Sequence, residues 1–502
     1  MNENFPKITA FPALAELASE FKDARVYLVG GAVRDILLGK PVTDVDLVVR
    51  NVAGDQLEDF LATRGRVVFA GKTFGVWKFH EVGKPKNEVY DIALPRTEFS
   101  LHKQGQYRDF NVQTNPKLPI ADDLARRDFT VNAMAYDLVA EKLIDKHGGQ
   151  ADLAAKIIRT VGQPNERFQE DFSRLLRALR FSLQLGFTIE PNTRHAISAM
   201  MSNLNNVIAG RRVLPYEVMA EELLKSLKID AVKTLDLWDE VGAINEIMPE
   251  LLKMKACPQP QNWHTEGDVW DHTRLALKKL SSPEFKKEFP AIGGSAFGGG
   301  NSSVDIETIL AVLFHDAGKP YTIRTPEKDG IDRIRYDEHD VVGADIAKKV
   351  LTRLKVAAPP EINVKPSRVV WAVRYHMLAV HGNPADMRPT TIEKYFFSRT
   401  NPSQTLLKLM LVDGLATVNQ EGNGMSDRFV LIKNRMQEIK TRTNSHGLSL
   451  VKALINGEDI MAKLGIKAGV RVGEILELVR QQQLSGEIKS RAKALEYLDT
   501  LK

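Results

Sequence analysis

Asp44 and Asp46 are separated by one residue in the segment VTDVDLVV. In a strand, successive side chains alternate faces, so both carboxylates project to one side while Val45 packs on the other. Two hard oxygen ligands a pleat apart suit Mg²⁺, which keeps room for water and phosphate oxygens. Asp91, in the later apolar segment EVYDIAL, is a third candidate. Three carboxylates converging from neighbouring strands would hold two ions, one activating an attacking 3′-hydroxyl and one steadying a leaving pyrophosphate. An isolated D-x-D is more often an exposed strand end, so its surroundings decide.

Gly30-Gly31 lies between VYLV and a helical pattern, fourteen residues before Asp44. Such a turn lets backbone approach a phosphate, and the helix N-terminus behind it favours an anion. Arg34, one turn into that helix, adds a fork of donors.

A second set of chemistry-bearing residues sits in the C-terminal half, where His264, His272, His315, His339, His376 and His381 cluster. His315-Asp316 in LFHDAGKP, His272 in VWDHT and Asp413 in LMLVDGLA supply nitrogen and carboxylate ligands. That set suits Mn²⁺, Ni²⁺, Fe²⁺ or Mg²⁺, and a metal-bound hydroxide attacks phosphoesters. Lys319 is placed to neutralise a substrate phosphate.

The elements that must position these groups are legible in outline. Residues 25–50 read as strand, tight turn, helix and strand, and RVVFAG, GVWKFHEV and EVYDIAL continue the strands. The polar stretch 98–120 reads as a mobile loop. From 165 to about 255 apolar residues recur at helical spacing, and a second helical region begins near Trp263. GGSAFGGGNSS reads as a flexible surface loop. The segment from about 430 is helical and basic, and Gly465, Gly469 and Gly473 there read either as phosphate-approach points or as helix caps.

Composition narrows the classes. A length of 502 residues implies roughly three or four units. The hydrophobic share of 43% with 26% charged residues describes a globular protein. No apolar run approaches the length of a membrane span, and MNENFPKITAF lacks the plan of a signal peptide. Cys257 is the sole cysteine, which excludes disulfides and cysteine-based metal sites. These features point to the cytoplasm. The net charge of +5 is compatible with a polyanionic partner and decides little alone.

The helical pattern EDFSRLLRALRF carries a specificity argument. Asp171 and Arg174, three apart, would be neighbours on a helix surface. A carboxylate accepts from an exocyclic amine and a guanidinium donates to a ring nitrogen, a pairing that cytosine and adenine both satisfy. Uracil and guanine reverse both partners. Each unpaired buried group costs about 1–3 kcal/mol, so two mismatches discriminate ~30-fold or more. Arg177 shares that broad face and reads as a phosphate ligand; Arg180, half a turn from Asp171, is assigned to the nucleotide phosphates with it.

LVGGAVRDILLGKPVTDVDLVV, RRDFTVNAMAYD, DKHGGQADL and EDFSRLLRALRF, in that order, resemble the signature of class II CCA-adding enzymes and bacterial poly(A) polymerases. The resemblance implies that Asp44 and Asp46 hold Mg²⁺ and that Gly30, Gly31, Arg34 and Arg126 or Arg127 hold the nucleotide. It further implies that Asp128 and Asn132 organise the sugar and triphosphate pocket, and that Asp171 and Arg174 act as a protein template. Where the family's next motif carries Arg, this chain has Val218, followed by Glu222-Leu223-Leu224-Lys225. The C-terminal histidines resemble those of HD phosphohydrolases, which many bacterial CCA enzymes carry. His339 and His376 stand where extended versions have further ligands, making His272, His315, Asp316, His339, His376 and Asp413 a site for a divalent metal (Mg²⁺, Mn²⁺ or Ni²⁺).

The implied fold is multidomain α+β: a polymerase β-like α/β head (1–160), an all-α neck (161–255), an all-α HD domain (256–425) and a helical tail (426–502). The implied activity is addition of C, C and A to a tRNA 3′ end from CTP and ATP, with hydrolysis of phosphoesters in the HD domain. Rival readings are a poly(A) polymerase, a CC-only or A-only enzyme, and a phosphohydrolase with a nucleotide-sensing head. The sequence leaves the oligomeric state open.

Overall fold

A computed structural model describes residues 4–69, 75–85, 88–100, 104–107, 110–290, 304–398, 400–442 and 452–501. It divides into two compact units, Met1–Ile247 and Met248–Lys502. The glycine-rich segment 293–303 lies outside the described residues.

The first unit is built on a seven-stranded sheet. Its strands are β1 (Arg25–Val29), β2 (Val45–Arg50), β3 (Gly65–Phe69), β4 (Val76–Glu81) and β5 (Tyr90–Ala93). A hairpin of β6 (Arg96–Ser100) and β7 (Phe110–Thr114) follows, and then β8 (Met134–Asp137) and β9 (Lys142–Asp145). The sheet order is β3-β4-β5-β2-β1-β8-β9, with β2 and β5 parallel and the other neighbours antiparallel. Helices α1 (Pro12–Glu20), α2 (Gly31–Leu37), α3 (Gly54–Ala62), α4 (Ile120–Ala125) and α5 (Gly149–Ala155) accompany it. Tyr27, Val29, Val48 and Ala135 alternate onto the sheet face that Ile120 and Leu124 of α4 cover. Asp46 precedes Val48 by two residues and therefore shares that face.

The hairpin corrects the expectation of a loop over 98–120. Its first strand carries the charges of Arg96 and Glu98, and both are satisfied. Arg96 Nε donates to Glu98 at 2.9 Å, and Arg126 Nη1 donates to the same oxygen at 2.7 Å. Residues 101–103 and 108–109 of this stretch lie outside the described residues.

The unit continues through α6 (Pro164–Glu170), α7 (Ser173–Leu185), α8 (Pro191–Met200) and α9 (Tyr216–Ile229). Leu175, Leu176, Ala178 and Leu179 form the buried stripe of α7, at the spacing the sequence shows. Gly186, left-handed at φ 69°, ends the helix.

The second unit is helical. The helices Val269–Lys279, Ile306–Phe314, His339–Arg353, Pro366–Tyr375 and Ser403–Ala416 pack on one another. The C-terminal helices Gly457–Leu464, Val470–Leu484 and Arg491–Asp499 hold a small core of their own around Ile460, Ile475, Val479 and Leu498. Gly465 is a left-handed cap at φ 69°, as the cap reading expects, and Gly473 sits within a helix. Among the described residues, no helix is long and apolar enough to cross a membrane.

Candidate active sites

Parallel pairing of β2 with β5 sets Asp46 directly opposite Asp91. Cross-strand partners lie on one face, so the two carboxylates meet there. Asp44 precedes the first residue of β2 and is exposed. Burial raises the Asp46 carboxyl above its ordinary range against the opposing pull of Arg127, and the charges of Asp91 and Asp44 raise it further. Mutual repulsion of three carboxylates is what a divalent cation relieves, so the donor set fits Mg²⁺. Lys78, opposite Asp91 on β4, reaches it at 3.0 Å.

The Gly30 turn stands against this group. Its φ is +70°, and a Cβ there would lie 2.6 Å from Arg127 Nη1 and 3.8 Å from Asp46 Oδ2. Glycine is therefore required by conformation, and a side chain would in addition push the Arg127 guanidinium from its place. Gly31 opens α2, and Arg34, which is buried, donates to Asn132 Oδ1 at 2.7 Å and to both oxygens of Asp35 at 2.9 Å. The two candidate arginines part company. Both pair with Asp123, Arg126 at 2.8 Å and Arg127 at 3.5 Å, but Arg127 also faces the carboxylates, whereas Arg126 also binds Glu98, holding the hairpin to α4.

Asp128 connects α7 to the head. Its Oδ2 accepts from Arg177 Nε and Nη2 at 2.9 and 2.7 Å, and Asn132 Nδ2 donates to its Oδ1 at 3.5 Å. Despite burial, these partners hold the Asp128 carboxyl below its usual range.

Asp171 and Arg174 are both buried, but the geometry differs from the helical-neighbour expectation. Asp171 is extended (φ −159°) and closes α6; α7 begins only at Ser173, whose N–H donates to Asp171 Oδ1 at 2.8 Å. The carboxylate thus caps the helix that Arg174 occupies, a preference the residue type allows but the apolar periodicity hid. Burial raises the Asp171 carboxyl. Arg174 pairs with Glu170 and donates to the Arg167 carbonyl at 3.0 Å. Gly105 accepts from Phe172 N and donates to the Gln169 carbonyl, bracketing Asp171. Arg180 turns to Glu222 of α9 at 2.6 Å, away from this group. Sequence reading missed Lys78, Glu98, Asp123 and Glu170, whose only signal is charge at positions facing a named arginine or aspartate.

In the second unit, all six expected residues converge. His272 Nε2 lies 3.1 Å from Asp413 Oδ1 and 3.7 Å from Asp316 Oδ2; His315 Nε2 lies 3.3 Å from Asp316 Oδ2 and 3.7 Å from Asp413 Oδ1. On the other Asp316 oxygen, His339 and His376 Nε2 lie at 3.5 and 3.9 Å, and 3.3 Å from each other. Nδ1–H of His315, His339 and His376 each donates to a backbone carbonyl, of Val312, Tyr336 and Val373. Each Nε2 therefore turns a lone pair inward. His315 Nε2 is buried without a hydrogen-bond partner among the described residues, which a metal would supply. Asp316, with one oxygen toward each histidine pair, is placed to bridge two ions. Lys319 reaches Asp316 Oδ2 at 2.6 Å and Gln259 at 2.8 Å. Burial holds His376 down to about 4, whereas the hydrogen bonds that His272 donates to Asp413 and Glu266 overcome burial and lift it to about 9. Gly318, just after the pair, permits the approach of the His339 helix: a Cβ there would lie 2.0 Å from the His339 carbonyl oxygen.

Carboxylates on a paired central sheet, beside a glycine turn and ahead of an HD cluster, define a nucleotidyltransferase with an HD domain. Family models match in the same order: the Poly A polymerase head domain over residues 26–159, a probable RNA and SrmB-binding site of polymerase A over 186–255, and the HD domain over 292–411. The multifunctional CCA protein of Neisseria gonorrhoeae is 31% identical over 79% of this chain and 85% of its own. The A-adding tRNA nucleotidyltransferase of Deinococcus radiodurans is 29% identical over 93% of both chains. Two solved structures share the fold: the Bacillus stearothermophilus CCA-adding enzyme in complex with CTP (21% identity, TM-score 0.61, covering 99% of this chain and 98% of that one) and the Thermotoga maritima CCA-adding enzyme complexed with tRNA (22%, 0.57, 100% and 97%). The chain belongs to the class II CCA-adding enzyme family.

Proposed function

We propose that the protein is a CCA tRNA nucleotidyltransferase, adding C, C and A to the tRNA 3′ end from CTP and ATP in the cytoplasm without a nucleic-acid template. The observation that carries this reading is the in-register pair Asp46 and Asp91 beside the Gly30 turn and Arg127. Mg²⁺ held by Asp44 and Asp46, with Asp91 alongside, would supply the charge that activates the 3′-hydroxyl and offsets that of the pyrophosphate. Gly31, Arg34 and Arg127 receive the triphosphate, with Arg34 oriented by Asn132 and Asp35. Asp128 and Asn132 line the sugar pocket, with Asp128 held by Arg177. Asp171 and Arg174 read the base edge, their directions fixed by Ser173 N–H and by Glu170. Arg126 and Arg180 are assigned to holding the fold.

The test offers each nucleotide separately, with Mg²⁺, to tRNA ending in the discriminator base, in C and in CC. Two C additions followed by one A support the reading. A-only addition is the second reading, favoured by the A-adding relative that matches 93% of both chains. It is the outcome if only tRNA ending in CC is extended.

The cluster of His272, His315, Asp316, His339, His376 and Asp413 is proposed to hydrolyse phosphoesters with a divalent metal, Mg²⁺, Mn²⁺ or Ni²⁺. Hydrolysis by the full chain, lost on chelation and restored by one of these ions, tests it.

A further inference from the structure

Three of the four inward-facing histidines are oriented by a backbone carbonyl three residues earlier. His272 is the exception. Its Nδ1–H donates to Oε1 of Glu266 at 2.7 Å, and His264 Nδ1–H donates to the same oxygen at the same distance. The other oxygen, Oε2, accepts from Val418 N–H at 3.1 Å. Thr265 N–H donates to the Val418 carbonyl at 3.0 Å, so the carboxylate is fixed at both its backbone and its head. The Glu266 side chain is 4% exposed.

His264, Glu266 and His272 lie close enough to pass for a metal-binding group themselves. The hydrogen bonds argue otherwise. Both Glu266 oxygens already accept from N–H groups, and both histidines present Nδ1–H, not a lone pair, to the carboxylate. With Nδ1–H committed to Glu266, Nε2 is the ring atom that faces Asp316 and Asp413; its N–H donates to Asp413 at 3.1 Å, and a metal bound there would take the place of that proton. A carboxylate behind a ligating imidazole fixes its tautomer and raises its basicity, which a backbone carbonyl does more weakly.

We propose that Glu266 is the positioning residue of the HD centre, setting the tautomer and orientation of His272 and through them the centre's affinity for its metal. This rests on the proposed hydrolase reading of the same cluster. Glu266 touches neither metal nor substrate; it acts through His272.

The test is Mn²⁺ titration of the full chain in the Asp44→Asn, Asp46→Asn background, so that only the HD centre reports, with ¹⁵N NMR of the histidine rings. Glu266→Ala is expected to weaken Mn²⁺ binding about 10–100-fold and to move the His272 proton from Nδ1 toward Nε2. Glu266→Gln, which keeps an acceptor oxygen, weakens binding less, and His264→Ala leaves it unchanged. Wild-type affinity in Glu266→Ala overturns the proposal, as does an equal loss in His264→Ala, which would mark a clamp on the whole segment. If Glu266→Ala does not fold, Glu266→Gln decides: unchanged affinity and an unchanged tautomer overturn it. If the parent background binds no Mn²⁺, the hydrolase reading fails instead, and the tautomer in Glu266→Gln still decides the role of Glu266.

Discussion

Arg177 donates from Nε and Nη2 to one oxygen of Asp128, at 2.9 and 2.7 Å, so a single carboxylate oxygen on the head carries a guanidinium from α7. The Asp128 side chain is 11% exposed and that of Arg177 is 37% exposed, so solvent screens one partner. Asp128→Asn should cost about 1–3 kcal/mol at neutral pH, read by urea unfolding. Because the Asp128 carboxyl is depressed in the folded protein, its contribution is present above the unfolded value and lost as pH falls through the folded one. The gap between wild type and Asp128→Asn should therefore begin to narrow below about pH 4 and go on closing as pH falls through the lower folded value; a gap that stays constant with pH below 4 contradicts the pairing.

Asp46→Asn should lower nucleotide addition by at least about 100-fold while leaving the fold intact. Asp46 has a carboxyl already raised by burial and by Asp91 and Asp44, so removing its charge relieves repulsion. Circular dichroism and thermal melting should show no loss of stability. A destabilised variant would mean that the aspartate is structural.

Arg180 and Glu222 join α7 to α9 with side chains 12% and 7% exposed. Glu222→Ala leaves a largely buried guanidinium uncompensated, and should cost about 3–5 kcal/mol. The ratio of C to A incorporation should not change. Arg174→Ala should do the reverse, eroding discrimination against U and G about 10-fold or more, with a smaller stability loss. Misincorporation with each single nucleotide separates the two.

His315→Ala should abolish metal-dependent phosphoester hydrolysis and spare nucleotide addition. Hydrolysis unchanged by the substitution would remove the HD cluster from any catalytic role.

Much of both sites was readable before the fold was known, because their chemistry demands rare residue types in order. Asp44, Asp46 and the His315-Asp316 pair announce themselves, and alternation in VDLVV places Asp46 on its face. That Asp91 is the cross-strand partner of Asp46 required the register of β2 and β5, a long-range pairing that no local pattern encodes. Asp171 falls two residues short of α7 because helix periodicity continues through the α6–α7 break, where an aspartate caps instead of propagating. The β6–β7 hairpin is hidden in a polar stretch because the partners of Arg96 and Glu98, Asp123 and Arg126, lie 27 and 28 residues on in the chain. Glu266 is silent in sequence: one glutamate among many until three N–H groups are seen to share it.

Any side chain at Gly30 would have to evict the guanidinium of Arg127, since the first carbon beyond Cα already falls 2.6 Å from its Nη1. The two positions are therefore not free to vary separately. Gly30→Ala alone should be inactive, and reverting it through a second site would mean shortening Arg127, which gives up the cation beside Asp46. Ninety-seven residues apart in the chain, Gly30 and Arg127 thus meet in one contact beside Asp46.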